Sequence, residues 1–433
     1  MAASGERLHQ ALLQAFKQRH LNSLSWLAAE PALAAAAAGV DGTSAPLAGF
    51  PLVVKDNIDV AGMPTSIGTA LLAEEPVSHS AELVTRLQNA GAIIIGKASM
   101  HELASGTSGL NAARGDVLHP FLPGRVVGGS SSGSAAAVAA GIVPASIGTD
   151  TGASVRLPAS FCGLIGFRPS LARYPQQGIA PISPSRDTAG IIAQRMDDVL
   201  ALDAVISGDA TLPAVSLADL RLGVPRAHFW HDCEPPVAAA AEVVLHRLGD
   251  LGITLVEVDI EQAGELAVQA GYPMASFELL RDLPRYLQQR GSRYSFEQLK
   301  NAIASPDVRA LVADAATIGP ERYQEALSRW KPLLIDRYKA VFQQHRLDGL
   351  VFPTVPLLPP LIEQANALFR QLIANCEPAT VVGLPCISLP LGQTPDGIPV
   401  GMEFQFAAGE DRRLLAAAAL LMAQLSPRID ELK

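Results

Sequence analysis

The chain has 433 residues with 33 basic and 42 acidic side chains, a formal net charge of −9, and 49% hydrophobic against 17% charged residues. This apolar, weakly charged composition excludes a disordered polymer and leaves room for two or three domains or one large α/β layer structure. The acidic balance excludes a general nucleic-acid binder, which needs an excess of Lys and Arg facing phosphates.

Taken in chain order, residues 7–38 read as helical, through Leu8, Leu12, Leu13, Phe16 and an Ala run at 34–38. Pro51–Asn57 reads as a strand, residues 80–88 as a helix and residues 92–95 as a short buried strand. Gly128-Gly-Ser-Ser-Ser-Gly-Ser134 is a loop that opens onto a helix over 135–140, where free N–H groups can face a ligand. A second small-residue loop is expected over 148–154. Residues 211–345 carry more Arg, Gln and aromatic residues, and their helices look longer and more exposed. Strand-like text returns at 349–353 and 386–391, and a helix over 414–425 closes the chain. With no internal repeat and no long linker, the chain reads as one domain over 1–433. It has a core at about 45–210, a helical elaboration at about 211–345 and a C-terminal return at about 346–433.

Cys162, Cys233, Cys376 and Cys386 form no CxxC pair, so neither a disulfide framework nor a local zinc motif is expected. The first residues lack a basic stretch followed by an apolar one, and no apolar helix reaches the ~20 residues of a membrane span. The expectation is a soluble cytoplasmic protein with no membrane partner.

Several motifs fail on their chemistry. Gly91–Ala98 nearly spells a P-loop, but Ala98 stands where a magnesium-binding hydroxyl is required, and three isoleucines suit a strand. Gly129-Ser-Ser131-Ser-Gly133 fits a nucleophile elbow, yet Pro123 and Gly124 break the strand that should precede it. His228, His231 and Cys233 match no zinc spacing, and His101-Glu102 lacks a second His. Arg281, Arg285, Arg290 and Arg293, interleaved with Tyr286 and Tyr294, read as a solvated helix face.

What remains is a lysine beside serine-rich loops. A serine nucleophile needs a base, and a neutral lysine can serve. Its pKa must fall from about 10.4 to near 7.5, at a cost of about 4 kcal/mol, which demands burial or nearby positive charge. Of seven lysines, only Lys55 and Lys97 directly follow apolar runs. The plain alternative for either is a strand-end lysine with its ammonium in solvent. Strand alternation places Val53, Lys55 and Asn57 on one face and Asp56 on the other, so Asp56 need not hold Lys55 as a cation. Successive N–H groups in a tight turn at 151–154 can converge on one oxygen, as an oxyanion hole requires. On this reasoning Lys55 and Lys97, and Ser131 and Ser154, remain alternatives.

The segments Gly49–Asn57, Gly96–Glu102, Gly128–Ser134 and Gly148–Pro158, extended by Gly166–Pro169 and Asp187–Gly190, resemble the amidase signature family of serine hydrolases. The match is dense over 45–210, thinner over 345–425 and faint over 211–345. The resemblance implies an α/β/α sandwich around a large twisted mixed sheet, with no metal or organic cofactor. It implies a triad of Lys55, a bridging Ser130 behind a cis peptide at Gly129–Ser130, and the nucleophile Ser154, 24 residues after Ser130. Oxyanion donors would be Thr151, Gly152, Ala153 and Ser154, and Ala104 would line the substrate pocket. The implied reaction is hydrolysis of a small carboxamide to a carboxylate and ammonia through an acyl-enzyme, with a small-molecule amide as partner and a homodimer as the assembly considered. The alternative is an amidotransferase subunit that releases ammonia from glutamine alongside partner chains. Many members have Gly where this chain has Ala153, and the added methyl is expected to force a different φ or narrow the acyl pocket. Gly152-Ala-Ser154, with Ser183–Thr188, most resembles the indoleacetamide and mandelamide hydrolase branch, which favours aryl-acetamide substrates. The pocket walls are expected from residues 211–375.

Overall fold

A computed structural model describes residues 2–38 and 45–425. Eleven strands form one mixed sheet: β1 (Leu24–Leu27), β2 (Phe50–Lys55), β3 (Ala92–Ala98), β4 (Ala145–Asp150), β5 (Ile165–Arg168), β6 (Thr188–Ala193), β7 (Arg221–Pro225), β8 (Thr254–Val258), β9 (Gly349–Pro353), β10 (Cys386–Gln393) and β11 (Pro399–Phe406). Their spatial order is β1-β3-β2-β4-β6-β5-β10-β11-β9-β7-β8. β2 runs parallel to β3 and β4, and β7 runs parallel to β8 and β9; the other pairings are antiparallel. The α/β class is as the residues imply.

Alternation along the central strands divides the core between two faces. Leu52, Val54, Ile94 and Ile191 face one apolar cluster, with helices Glu82–Asn89, Met196–Ser207 and Asp411–Leu425. Val53, Ile93, Ile95 and Ile192 face another, with helices Ala2–Lys17 and Ser132–Ala139. The odd-numbered end of β2 therefore looks toward the serine-rich loop, which fixes the side on which Lys55 emerges.

The continuous helix over 7–38 is a misreading. Asn22 takes a left-handed φ of 53°, and its side chain donates to the carbonyls of Arg114, Gly115 and Asp116. That ends the first helical segment, and β1 then pairs antiparallel with β3. The loop expected over 148–154 is also shorter. Gly148, Thr149 and Asp150 continue β4 against Gly190, Ala189 and Thr188 of β6, so the turn proper is 151–154. Gly148 is needed there, because a Cβ would sit 2.8 Å from Ser131 Oγ. Strands β5, β6, β7, β8 and β11 lie outside the strands expected from the sequence. β7 begins with Arg221 and ends with Pro225, and β11 carries Glu403 and Gln405, both fully buried.

The middle region holds a 27-residue helix, Ala263–Gln289, which continues through Pro273 and Pro284. It is less exposed than its composition suggests. Ala267, Ala270 and Met274 enter one core cluster, and Leu279, Leu283 and Leu287 enter another. Its arginine face is not uniformly solvated either. Arg290 donates to Thr65 O and pairs with Glu75 at 2.6 Å, while buried Tyr286 donates to Asp59 at 2.6 Å. No helix among the described residues is long and apolar enough to cross a membrane.

Candidate active site

Lys55 ends β2 and has no exposed surface. Its Nζ donates to Ser130 Oγ at 2.8 Å and to Thr149 Oγ1 at 2.8 Å. Burial lowers its pKa to about 7, against the opposing pull of Asp150 and Asp187. Asp56 does point the other way. It pairs with Lys97 at 3.2 Å and accepts from Ser25 and Ser66. Lys97 is also fully buried, and its Nζ donates to Pro64 O and Thr65 Oγ1. The solvent-facing alternative is thus wrong for both lysines. What separates them is partners: Lys97 has a carboxylate at its ammonium, whereas Lys55 has two hydroxyls.

The Gly129–Ser130 peptide is cis, and the Ser130 carbonyl accepts from the His101 N–H at 3.1 Å. Ser131 is committed elsewhere. Its N–H donates to Ser154 O at 3.3 Å, and its Oγ donates to Thr149 O and accepts from Thr149 N–H. It ties the serine loop to the end of β4 and to the turn, and its hydroxyl is spent on backbone. The helix after the loop packs closely because residue 133 is Gly: a Cβ there would lie 2.3 Å from Ser23 O.

The 151–154 turn is braced from below. Thr151 Oγ1 donates to Asp187 at 2.6 Å, and Arg156 donates to Gly152 O at 3.1 Å. Arg156 also holds Asp150 through Nε at 3.1 Å and Glu403 through an Nη at 2.5 Å, all fully buried. Burial pushes the Asp150 carboxyl up, but Arg156 and Arg168 outweigh it and hold its pKa near 2. None of residues 151–154 has a positive φ, and the Ala153 methyl joins a buried cluster with Leu157, Phe161 and Val126.

Ser154 opens onto a cavity of about 460 Å3, together with Thr151, Gly152, Ala153 and Ala104. Ala104 reaches that wall through a left-handed backbone, with φ of 53° at Leu103 and 56° at Ala104. The opposite wall comes from the middle and later chain, through Tyr272, Leu279, Leu311, Asp314, Phe369 and Ile373, within the region expected to supply it. Tyr272 donates to Asp314, and the Arg370 guanidinium lies 5.4 Å from the Tyr272 ring centroid.

Thr149, Asp150, Arg156, Arg168, Asp187 and Glu403 escaped the sequence reading as site residues. Asp150, Arg156, Arg168 and Asp187 stand inside the quoted motifs, so a search for charge partners there could have found them. Glu403 is a lone acid in unremarked text and carries no local signal. The residues set aside lie elsewhere. His228 bonds Ala374 O at 3.1 Å, His231 is exposed beside Asp232, and Gly91–Ala98 is largely strand β3.

The Amidase family model matches residues 8–415. The chain is 42% identical to the indoleacetamide hydrolase of Agrobacterium vitis over 388 residues, 87% of this chain and 83% of that protein. It is 38% identical to the mandelamide hydrolase of Pseudomonas putida over 398 residues, covering 87% and 78% respectively. Among solved structures, the peptide amidase from Stenotrophomonas maltophilia superposes with a TM-score of 0.84 at 28% identity, covering 98% of this chain and 94% of that one.

Proposed function

The chain belongs to the amidase family and is an amide-hydrolysing enzyme, and from that premise we propose that it cleaves an aryl-acetamide-type primary amide through Ser154, Ser130 and Lys55. The observation that carries this reading is the 2.8 Å contact between Lys55 Nζ and Ser130 Oγ at a fully buried amine. Neutral Lys55 takes the Ser130 proton while Ser130 takes that of Ser154, and the Ser154 oxygen attacks the carbonyl carbon. N–H groups of the 151–154 turn hold the oxyanion. Ser130 returns the proton to the departing nitrogen, ammonia leaves, and water enters by the same relay to release the acid.

The acyl group occupies the cavity of about 460 Å3 beside Ser154, where Leu279, Leu311, Phe369 and Ile373 offer apolar surface to a ring. The named activities of the indoleacetamide and mandelamide hydrolases support that choice. The protein works as a single domain, in the cytoplasm and without partner chains. No observation favours the amidotransferase alternative.

Incubation of the purified chain alone with aryl-acetamides, aliphatic amides, dicarboxylic amides and glutamine tests the reading. Ammonia release is expected to be fastest from the aryl-acetamides. A preference for glutamine, or turnover only with other subunits, overturns it. A fluorophosphonate probe is expected to label Ser154 and to leave the Ser154→Ala variant unlabelled.

A further inference from the structure

Asn57 lies two residues beyond Lys55, is 2% exposed and takes no direct part in the relay. Its backbone carbonyl accepts from the Ala180 N–H at 2.8 Å. Its side chain is used at one end only. Nδ2 donates to Thr149 Oγ1 at 3.1 Å and faces Ala180 O at 3.5 Å, whereas Oδ1 has no hydrogen-bond partner among the described residues. Turning the amide over would set Oδ1 against the Ala180 carbonyl oxygen, and neither atom can donate. The site therefore imposes the observed orientation, although a buried acceptor left unpaired is costly. What the residue supplies in return is one N–H aimed at Thr149.

That N–H sets the direction of the bonds around the base. A threonine hydroxyl has two lone pairs and one proton. Lys55 Nζ donates to Thr149 Oγ1 at 2.8 Å, and Asn57 Nδ2 donates to the same oxygen. With both lone pairs engaged, the Thr149 proton points away from Lys55. A neutral amine has two protons and a single lone pair. One proton goes to Thr149 Oγ1, the second faces Thr149 O at 3.4 Å, and the lone pair is left for Ser130 Oγ at 2.8 Å. Without the Asn57 N–H, the Thr149 hydroxyl is free to rotate and to donate to that lone pair itself. Lys55 would stay neutral, yet its basic electrons would face a hydroxyl that takes no part in the reaction.

We propose that Asn57 is a positioning residue of the relay: by donating to Thr149 it makes that hydroxyl accept from Lys55, which aims the amine lone pair at Ser130. The proposal rests on the reading of Lys55, Ser130 and Ser154 as the triad, and it adds no step to that mechanism. The proton that Ser130 gives up goes to the Nζ lone pair. The ammonium so formed keeps its two contacts to Thr149, and the proton returns to Ser130 along the same line.

The test compares Asn57→Leu, Thr149→Val and the double variant with the parent, reading kcat/KM for phenylacetamide over a pH series that spans the midpoint near 7. Rates are expressed per Ser154 labelled at completion by a fluorophosphonate probe, which removes any inactive fraction. Asn57→Leu is expected to lower the high-pH plateau by at least about tenfold, a part of what a positioned base is worth, without moving the rising limb to higher pH. Thr149→Val is expected to lower the plateau as well. The double variant is expected to be no more than about twofold worse than Thr149→Val alone, because Asn57 acts only through that hydroxyl. Asn57→Ala takes the place of Asn57→Leu should the latter not fold. A parental plateau in the folded Asn57 variant, or losses that multiply in the double variant, overturns the proposal, since a residue that merely packs acts independently of the Thr149 hydroxyl. Absence of probe labelling at Ser154 in the parent, or a Lys55→Ala variant that keeps the rising limb, overturns the triad reading itself, which is a separate result.

Discussion

Burial lowers the Lys55 pKa to about 7 against the pull of Asp150 and Asp187, and the amine bonds two hydroxyls with no carboxylate in contact. That origin fixes two pH dependences. The proposed relay needs the neutral amine, so kcat/KM is expected to rise with pH around a midpoint near 7 and to level off above it. Lys55→Ala should lower kcat by roughly 10²–10⁴-fold, the usual worth of a positioned base, and abolish that rising limb; an unchanged limb would reject Lys55 as the base. Stability follows the same group. Between about pH 7 and its ordinary value of 10.5, Lys55 binds fewer protons folded than unfolded, so raising the pH through this window stabilises the fold. The contribution approaches about 1.4 kcal/mol per pH unit for one proton. Lys55→Met is expected to flatten the climb in urea midpoint over that window relative to the parent. Lys97, also lowered by burial, keeps part of the climb in both proteins.

At the scale of elements, the turn at 151–154 is held by a buried guanidinium between two acids. Removing Arg156 would leave Asp150 and Glu403 uncompensated in the interior. Arg156→Leu is therefore expected to cost about 3–5 kcal/mol of stability, read as a fall in urea midpoint, and Arg156→Lys should not restore it, since one ammonium cannot match the forked contacts. The same turn shows how far a sequence can be read. β2 and β3 announce themselves as apolar runs, and their alternation sets Lys55 and Asp56 on opposite faces before any coordinates are known. The choice between Lys55 and Lys97 was not open to that reasoning, because it depends on which carboxylate or hydroxyl arrives from distant chain. β1 was hidden inside helical-looking text, and only the left-handed Asn22, bonded to carbonyls near residue 115, explains the break. β7 and β11 were hidden by the half-buried Arg221 and by Pro225, Glu403 and Gln405, at positions that become buried only because Arg156 and the outer strands meet them.

Across the whole molecule, the sheet does not divide where the signature ends. β5, from the first half, pairs with β10, and β11, β9, β7 and β8 extend the sheet beyond it. The middle region is part of this frame, because β7 and β8 form one edge and its helices wall the cavity beside Ser154. A fragment of residues 1–210 would expose the open backbone edge of β5 and the apolar faces that helix Asp411–Leu425 covers. It is expected to aggregate or to elute as an expanded species that binds hydrophobic dyes, in place of a cooperative unfolding transition. A soluble, cooperatively unfolding fragment would instead establish the signature segment as an independent domain.

The Arg156–Glu403 contact spans 247 positions of chain. During synthesis the 151–154 turn leaves the ribosome long before the carboxylate that steadies it, and β10 arrives later than every strand it must join on the N-terminal side. A nascent chain therefore carries Ser154, the proposed nucleophile, for most of translation without a finished scaffold. Acylating competence should be acquired only near release of the completed polypeptide, so a stalled chain that ends before residue 403 would be silent toward an activity-based label.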